Sequence, residues 1–191
     1  VLITGAGTIG CLTVLAARLA GAKSVTVSDI LDRPLAQARE VGADRTLRAD
    51  RESDALATPQ FDVCFEVSGS FAALKSCVTA AKRGGTIVQV GTLPHEPLPF
   101  VVNELMAKEL DLKGAFRWGI EFDWAVDYLS TRRVDVRLLR KWQCRRRGGE
   151  TIPYGSCRCR DRARAARVRP PRGCRRTRVH RPRAAGAHTT G

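Results

Sequence analysis

No run of apolar residues in this chain approaches the roughly 18 that a membrane-crossing helix needs, so no membrane-spanning helix is expected within it. No secretory signal peptide is read at the start, which is internal. There is neither a Met nor a lead-in ahead of the first apolar strand, which opens at Val1. The expectation is a chain cut at its start. Acid is scarce late in the sequence. Residues 138–191 hold 2 Asp+Glu against 17 Lys+Arg, whereas residues 1–137 hold 17 against 16. The formal charge of +14 therefore belongs to the tail, and the body is nearly neutral.

The tail is short of other residues as well. Sixteen of its 17 basic residues are Arg, Lys141 being the exception, and beyond Leu139 the branched aliphatics are only Ile152, Val168 and Val179. With no apolar periodicity it has no means of burying a core and is expected to be disordered. Arg, Pro, Gly, Cys and Ala dominate it, the residues that GC-rich codons yield when read out of frame. Residues 138–191 are thus read as a frameshifted or otherwise non-native stretch. The competing reading is a genuine Arg-rich tail that binds nucleic-acid phosphates. Cys144, Cys157, Cys159, Cys174, His180 and His188 offer no C-x₂-C pairing, so no metal site is assigned. The body's Cys11, Cys64 and Cys77 fall in helix or strand patterns and read as buried free thiols of a cytoplasmic protein.

What is present is concentrated at the front. Val1-Leu2-Ile3-Thr4 runs into Gly5-Ala6-Gly7-Thr8-Ile9-Gly10, an apolar strand followed by G-x-G-x-x-G. A buried strand that turns sharply into a helix needs backbone angles at Gly5 that a Cβ forbids. Gly7 lets a pyrophosphate approach the backbone, and Gly10 lets the helix pack on the strand. The helix over residues 9–19 offers free N–H groups and a positive dipole end to phosphates. A second strand, Ser24-Val25-Thr26-Val27-Ser28, leads to Asp29, 24 residues after Gly5. An acid there accepts hydrogen bonds from adenosine ribose hydroxyls and repels a 2′-phosphate, so NAD is favoured over NADP.

The rest of residues 1–137 alternates strand and helix. Helices are expected over 34–41, 70–83, 101–108 and 122–131, with a helical turn over 52–57. Ser70 is expected to cap its helix, Lys82-Arg83 to lie in its last turn and Gly84-Gly85 to stop it. Strands are expected over 45–48, 61–67, 86–91 and 111–116. Six strands with short connections predict an α/β fold, a doubly wound parallel sheet of the Rossmann kind. Its ligand sites lie at the strand ends: residues 5–10, Asp29, Val67-Ser68-Gly69, Val90-Gly91-Thr92 and Phe116-Arg117-Trp118. Glu66 stands alone as an acid, His95 reads as a surface residue, and Trp124 and Tyr128 read as packing residues.

The strand ends Gly5-Ala6-Gly7-Thr8-Ile9-Gly10, Val27-Ser28-Asp29, Gly42-Ala43-Asp44, Phe61-Asp62-Val63, Gly84-Gly85 and Val90-Gly91 resemble the coenzyme domain of zinc-type medium-chain alcohol and polyol dehydrogenases. The run from Ala107 to Trp118, with Phe116-Arg117-Trp118 at its end, is similar to the sorbitol dehydrogenase branch. Pro97-Leu98-Pro99, Asn103, Glu121-Phe122 and Arg133-Val134-Asp135-Val136 are most similar to L-idonate 5-dehydrogenases. The resemblance implies an enzyme that oxidises a secondary alcohol of a polyol or sugar acid to a ketone with NAD. It implies a zinc held by Cys, His and Glu of a separate domain not present here, and a homo-oligomer when intact. It carries NAD contacts over to Ile9, Asp29, Val90, Gly91, Thr92, Phe116, Arg117 and Trp118. In that branch an Arg past Asp29 lies along the adenosine; here Pro34 holds the aligned place and Arg33 precedes it. No residue of this chain is assigned a catalytic or metal-binding role. The chain alone is expected to bind NAD weakly without turnover. A zinc-free, NADP-linked quinone or alcohol reductase is the other enzyme reading, disfavoured by Asp29.

Overall fold

The computed structural model describes residues 1–100 and 102–139, together with the backbone at 140–142, 144–145 and 151–152. Its first strand, β1 (Leu2–Thr4), is buried at every residue, as a run of apolar and β-branched residues covered on both faces must be. Helix α1 (Thr8–Leu19) follows and buries Gly10, Cys11, Val14 and Ala17. Then come β2 (Thr26–Asp29), α2 (Asp32–Glu40) and β3 (Arg45–Arg48). A short 3-10 helix at Ser53–Leu56 leads to β4 (Phe61–Glu66), α3 (Phe71–Ala80) and β5 (Ala81–Gln89). The order closes with α4 (Val102–Lys108), β6 (Asp111–Gly114) and α5 (Glu121–Ser130).

The six strands form one parallel sheet in the order β3-β2-β1-β4-β5-β6. This is the doubly wound Rossmann arrangement, with the strand order reversing between β1 and β4. Leu2, Leu47, Leu56, Phe61, Cys64, Leu74, Cys77, Val78 and Ile87 build one continuous core cluster. Cys11, Cys64 and Cys77 are buried free thiols. A hydrogen bond with the neighbouring Cys64, and then burial, push the Cys77 thiol well up, so it stays protonated and packs as a small apolar group. No helix among the described residues is long and apolar enough to cross a membrane.

Three local expectations are corrected. Residues 82–85 are not the end of α3, because the helix stops at Ala80 and Ala81 already begins β5. The cation at the helix end comes from elsewhere: Lys108 Nζ, on α4, donates to the carbonyls of Val78 (2.8 Å), Thr79 (2.7 Å) and Ala81 (3.4 Å). The pairing of β5 slips from Phe61↔Ala81 to Val63↔Thr86, so residues 82–85 form a bulge, with Gly84 at φ +70 and Lys82 bonded to Asp62 at 2.8 Å. Ser70 sits at the N-cap of α3 but makes no side-chain cap bond; its own N–H donates to Ser68 Oγ at 3.2 Å. Trp124 is not a packing residue, being 52% exposed on a helix with no buried residue.

The chain divides into two compact units, residues 1–141 and 142–191. In the first, a 3-10 helix begins at Arg137, and Gln37 of α2 donates to the Leu138 carbonyl at 3.2 Å. In the second, β7 (Cys144–Arg145) pairs antiparallel with β8 (Thr151–Ile152), two short strands that no sequence pattern predicts. The rest of the tail, including Cys157, Cys159, Cys174, His180 and His188, lies outside the described residues, and so does the expectation of disorder there.

Candidate functional site

The turn between β1 and α1 requires its glycines for separate steric reasons. Gly5 adopts φ +98, and a Cβ on it would meet the Ser68 backbone at 2.9 Å. A Cβ on Gly10 would lie 1.9 Å from the Gly5 carbonyl oxygen, so helix and turn touch only because it is absent. At Gly7 a Cβ would meet nothing within 4 Å, so this face of the turn is open. Gly7 is also the N-cap of α1, with no side-chain cap and no acid in the first turn. Thr8 and Ile9 stand exposed beside it. An uncapped helix start facing open space is a place for an anion.

Asp29, at the end of β2, braces this turn. Its Oδ2 accepts the Ala6 N–H at 2.7 Å and its Oδ1 accepts the Leu31 N–H at 2.9 Å. Each oxygen keeps a lone pair for a further donor. Burial, and then the charge of Asp29, push the Cys11 thiol up to about 11, which keeps it protonated beside the loop. Arg48 on β3 pairs in register with Asp29. Its guanidinium is held bidentately by Asp50 at 2.9 and 2.8 Å and by Asp32 at 2.6 Å. Arg33 is exposed, whereas Pro34 is buried in the first turn of α2.

The loops after β4 and β5 meet at Glu66, a residue that sequence reasoning set aside as an isolated acid. Glu66 is 0% exposed. Its Oε1 accepts the Ser68 N–H (2.8 Å), the Ser68 hydroxyl (2.6 Å) and the Gly69 N–H (3.0 Å), and its Oε2 accepts Gln89 Nε2 at 2.5 Å. The signal that points to it is an acid inside the apolar run Phe61-Asp62-Val63-Cys64-Phe65-Glu66-Val67, just before a Ser-Gly turn whose N–H groups need an acceptor. Val90 and Gly91 donate their N–H groups to the Glu66 carbonyl, each at 2.8 Å, and Val67 donates to the Thr4 carbonyl at 2.9 Å. A Cβ on Gly69 would lie 2.6 Å from the Thr92 carbonyl oxygen. The structure thus brings together residues 5–10, Asp29, residues 67–69 and residues 90–92 at one edge of the sheet.

Phe116, Arg117 and Trp118 are placed differently. They lie beyond β6, which ends at Gly114 rather than running to 116. Phe116 is 85% exposed and Trp118 is 71% exposed. Their ring contacts are local: the Arg117 guanidinium stacks over Phe116 at 5.0 Å, and Trp118 packs against Phe122 at 6.1 Å. His95 is exposed, as a surface residue should be. Among the described residues no group of three or more His, Cys, Asp or Glu could hold a metal ion.

The family model described as Zinc-binding dehydrogenase matches residues 8–131. The chain is 35% identical over 133 residues to the L-idonate 5-dehydrogenase (NAD(P)(+)) of Escherichia coli K12, covering 68% of this chain and 38% of that protein. It is 33% identical over 147 residues to the sorbitol dehydrogenase of Pongo abelii, covering 73% of this chain and 41% of that one. The crystal structure of the E. coli L-idonate 5-dehydrogenase superposes with a TM-score of 0.67 at 33% identity, over 72% of this chain and 40% of that chain. The chain therefore spans about two fifths of the length of the curated relatives it matches. The donor set that the family name implies for zinc is not found among the described residues.

Proposed function

This chain belongs to the zinc-binding dehydrogenase family of alcohol and polyol dehydrogenases, and from that premise we propose that residues 1–137 bind NAD for the oxidation of a polyol or sugar acid. The reaction is the conversion of a secondary alcohol to a ketone, the hydride passing to the nicotinamide and the proton to solvent. The substrate class is that of the L-idonate and sorbitol dehydrogenases to which the chain is similar. The single observation that carries the reading is the Asp29 carboxylate, bonded to the Ala6 N–H at 2.7 Å beside the uncapped start of α1. In that geometry the pyrophosphate sits over Gly7, Thr8 and Ile9, where the helix dipole and free N–H groups receive it. The adenosine ribose hydroxyls donate to the remaining lone pairs of Asp29. The edges at Val67-Ser68-Gly69 and Val90-Gly91-Thr92 receive the second half of the coenzyme. Arg33 and the run Phe116-Arg117-Trp118 flank the two ends.

Asp29 also decides between coenzymes. A 2′-phosphate would bring about two negative charges against a carboxylate already fixed by two backbone N–H groups. The L-idonate relative is named for NAD(P)(+), and the charge at residue 29 favours NAD here. Titration of the full chain with NAD and with NADP, followed by calorimetry, tests this. NAD is expected to bind at least about tenfold tighter, a difference of about 1.4 kcal/mol. Equal affinity overturns the choice of coenzyme, and no binding of either overturns the coenzyme site itself.

A further inference from the structure

Among the described residues, Glu66 is the only carboxylate buried without exposed surface. A buried carboxylate persists only when donors replace its water. Here the donors come from the loop that follows β4 and from the last residue of β5: Ser68 N–H, Ser68 Oγ, Gly69 N–H and Gln89 Nε2. Gln89 carries the connection further, because the same Nε2 donates to the Gly91 carbonyl at 2.7 Å. That orientation leaves Gln89 Oε1 buried without a hydrogen-bond partner. An orphaned buried acceptor is a real cost, and the structure accepts it to keep the amide N–H groups on Glu66 and Gly91. The space left around the carboxylate admits no Cβ at residue 91, which would lie 2.6 Å from Glu66 Oε2 and 2.3 Å from the Gly69 nitrogen. Ser68 in turn lies against Gly5, on the other side of the point where the strand order reverses.

We propose that Glu66 is a positioning residue for the nicotinamide half of the coenzyme, acting through the 68–69 and 90–92 loops that it pins together. The inference rests on the NAD reading above and deepens it. A doubly wound sheet serves one mononucleotide on each half. Asp29 and the glycine turn belong to the β1–β3 half, while the loops held by Glu66 belong to the β4–β6 half. Loops already set in place lose less freedom when the ligand arrives, which is how a residue that never touches the coenzyme raises its affinity.

The test separates the two halves. Glu66→Gln keeps the shape of the side chain, and its Oε1 still accepts from Ser68 and Gly69. Its NH₂ group, however, faces the NH₂ of Gln89, which must turn and release Gly91. NAD and AMP are titrated against the full chain, with thermal denaturation followed in parallel. The expected result is that NAD affinity falls about tenfold while AMP affinity stays within about twofold of the unmodified chain. Unchanged NAD affinity overturns the proposal. So does an equal loss of both ligands, which marks a purely structural role. If the unmodified chain binds neither ligand, the coenzyme reading falls first and takes this one with it. Should Glu66→Gln fail to fold, Gln89→Met, which frees Gly91 without touching Ser68, decides on the same criterion.

Discussion

β1 and β6 belong to the same parallel sheet and end in opposite environments. All three residues of β1 are buried, and all four of β6 are exposed. Strand β1 has β2 on one side, β4 on the other, and α1 and α3 packed against it. Among the described residues strand β6 pairs only with β5. The same contrast runs through the helices. Helix α1 buries a full stripe, while α5 buries nothing and shows Phe122, Trp124, Val126 and Leu129. Membership of a sheet therefore does not make a core. A parallel strand is buried only when a layer lies on each of its faces. The candidate site sits at the ends of the covered strands, where surrounding packing holds side chains such as Asp29 and Glu66 in one place.

The largest effect that sharpens this contrast is expected at the covered end. Gly10→Ala drives a Cβ to 1.9 Å from the Gly5 carbonyl oxygen, which is backbone and has nowhere to go. Overpacking of that kind should cost about 3 kcal/mol or more, read as a fall in the urea midpoint at unchanged slope. A variant as stable as the parent would break the claim that helix and turn are in tight contact. Next comes a matched pair. Leu2→Ala, at a fully buried position, should cost about 3 kcal/mol, whereas Leu112→Ala, 45% exposed on β6, should stay within about 0.5 kcal/mol. Comparable losses from the two would show that β6 is as well covered as β1.

The smallest effect is a pH dependence on the surface of the covered half. The Asp44 carboxylate accepts the Val25 N–H at 2.6 Å and pairs with Arg18, and these hold its carboxyl below its ordinary value. A depressed folded value means that protons bind the unfolded chain first as the pH drops. The stabilisation is complete above about pH 4 and is lost as pH falls through the lower folded value. Asp44→Asn removes that loss, so its unfolding midpoint should fall less than the parent's between about pH 4 and pH 2. Equal acid sensitivity of the two chains would assign the effect elsewhere.

Much of the covered half was legible in the sequence. Strict local requirements announce themselves: Gly5 and Gly10 because no Cβ fits, and Asp29 because an acid ends an apolar strand at the expected distance from the glycine turn. Strand β3 was legible to the residue, at Arg45–Arg48. The misreadings share a cause. Lys82-Arg83-Gly84-Gly85 has the composition of a helix end, but the helix stops earlier, at Ala80, and its last carbonyls are bonded by a cation from α4, 30 residues away from Val78 in sequence. Glu66 has no partner near it in the pattern apart from Ser68 and Gly69, and its amide donor lies on the next strand, 23 residues on. Trp124 shares the spacing of a packing residue with Tyr128, yet Tyr128 is half-buried and Trp124 is exposed, because spacing says nothing about what covers a face.

By itself the sequence determined the class of the fold, because alternating strands and helices joined by short connections have one stable parallel solution. It determined the glycine turn for the same kind of reason: backbone angles and hard-sphere contact are local, and few residues satisfy them. Tertiary structure alone decided that Glu66 is buried and bonded by Gln89, that Lys108 caps α3, and that β6 and α5 remain exposed. Each of these depends on groups brought together from distant parts of the chain. Burial and hydrogen bonding between such groups exist only once the sheet has set its order, and no local pattern encodes them.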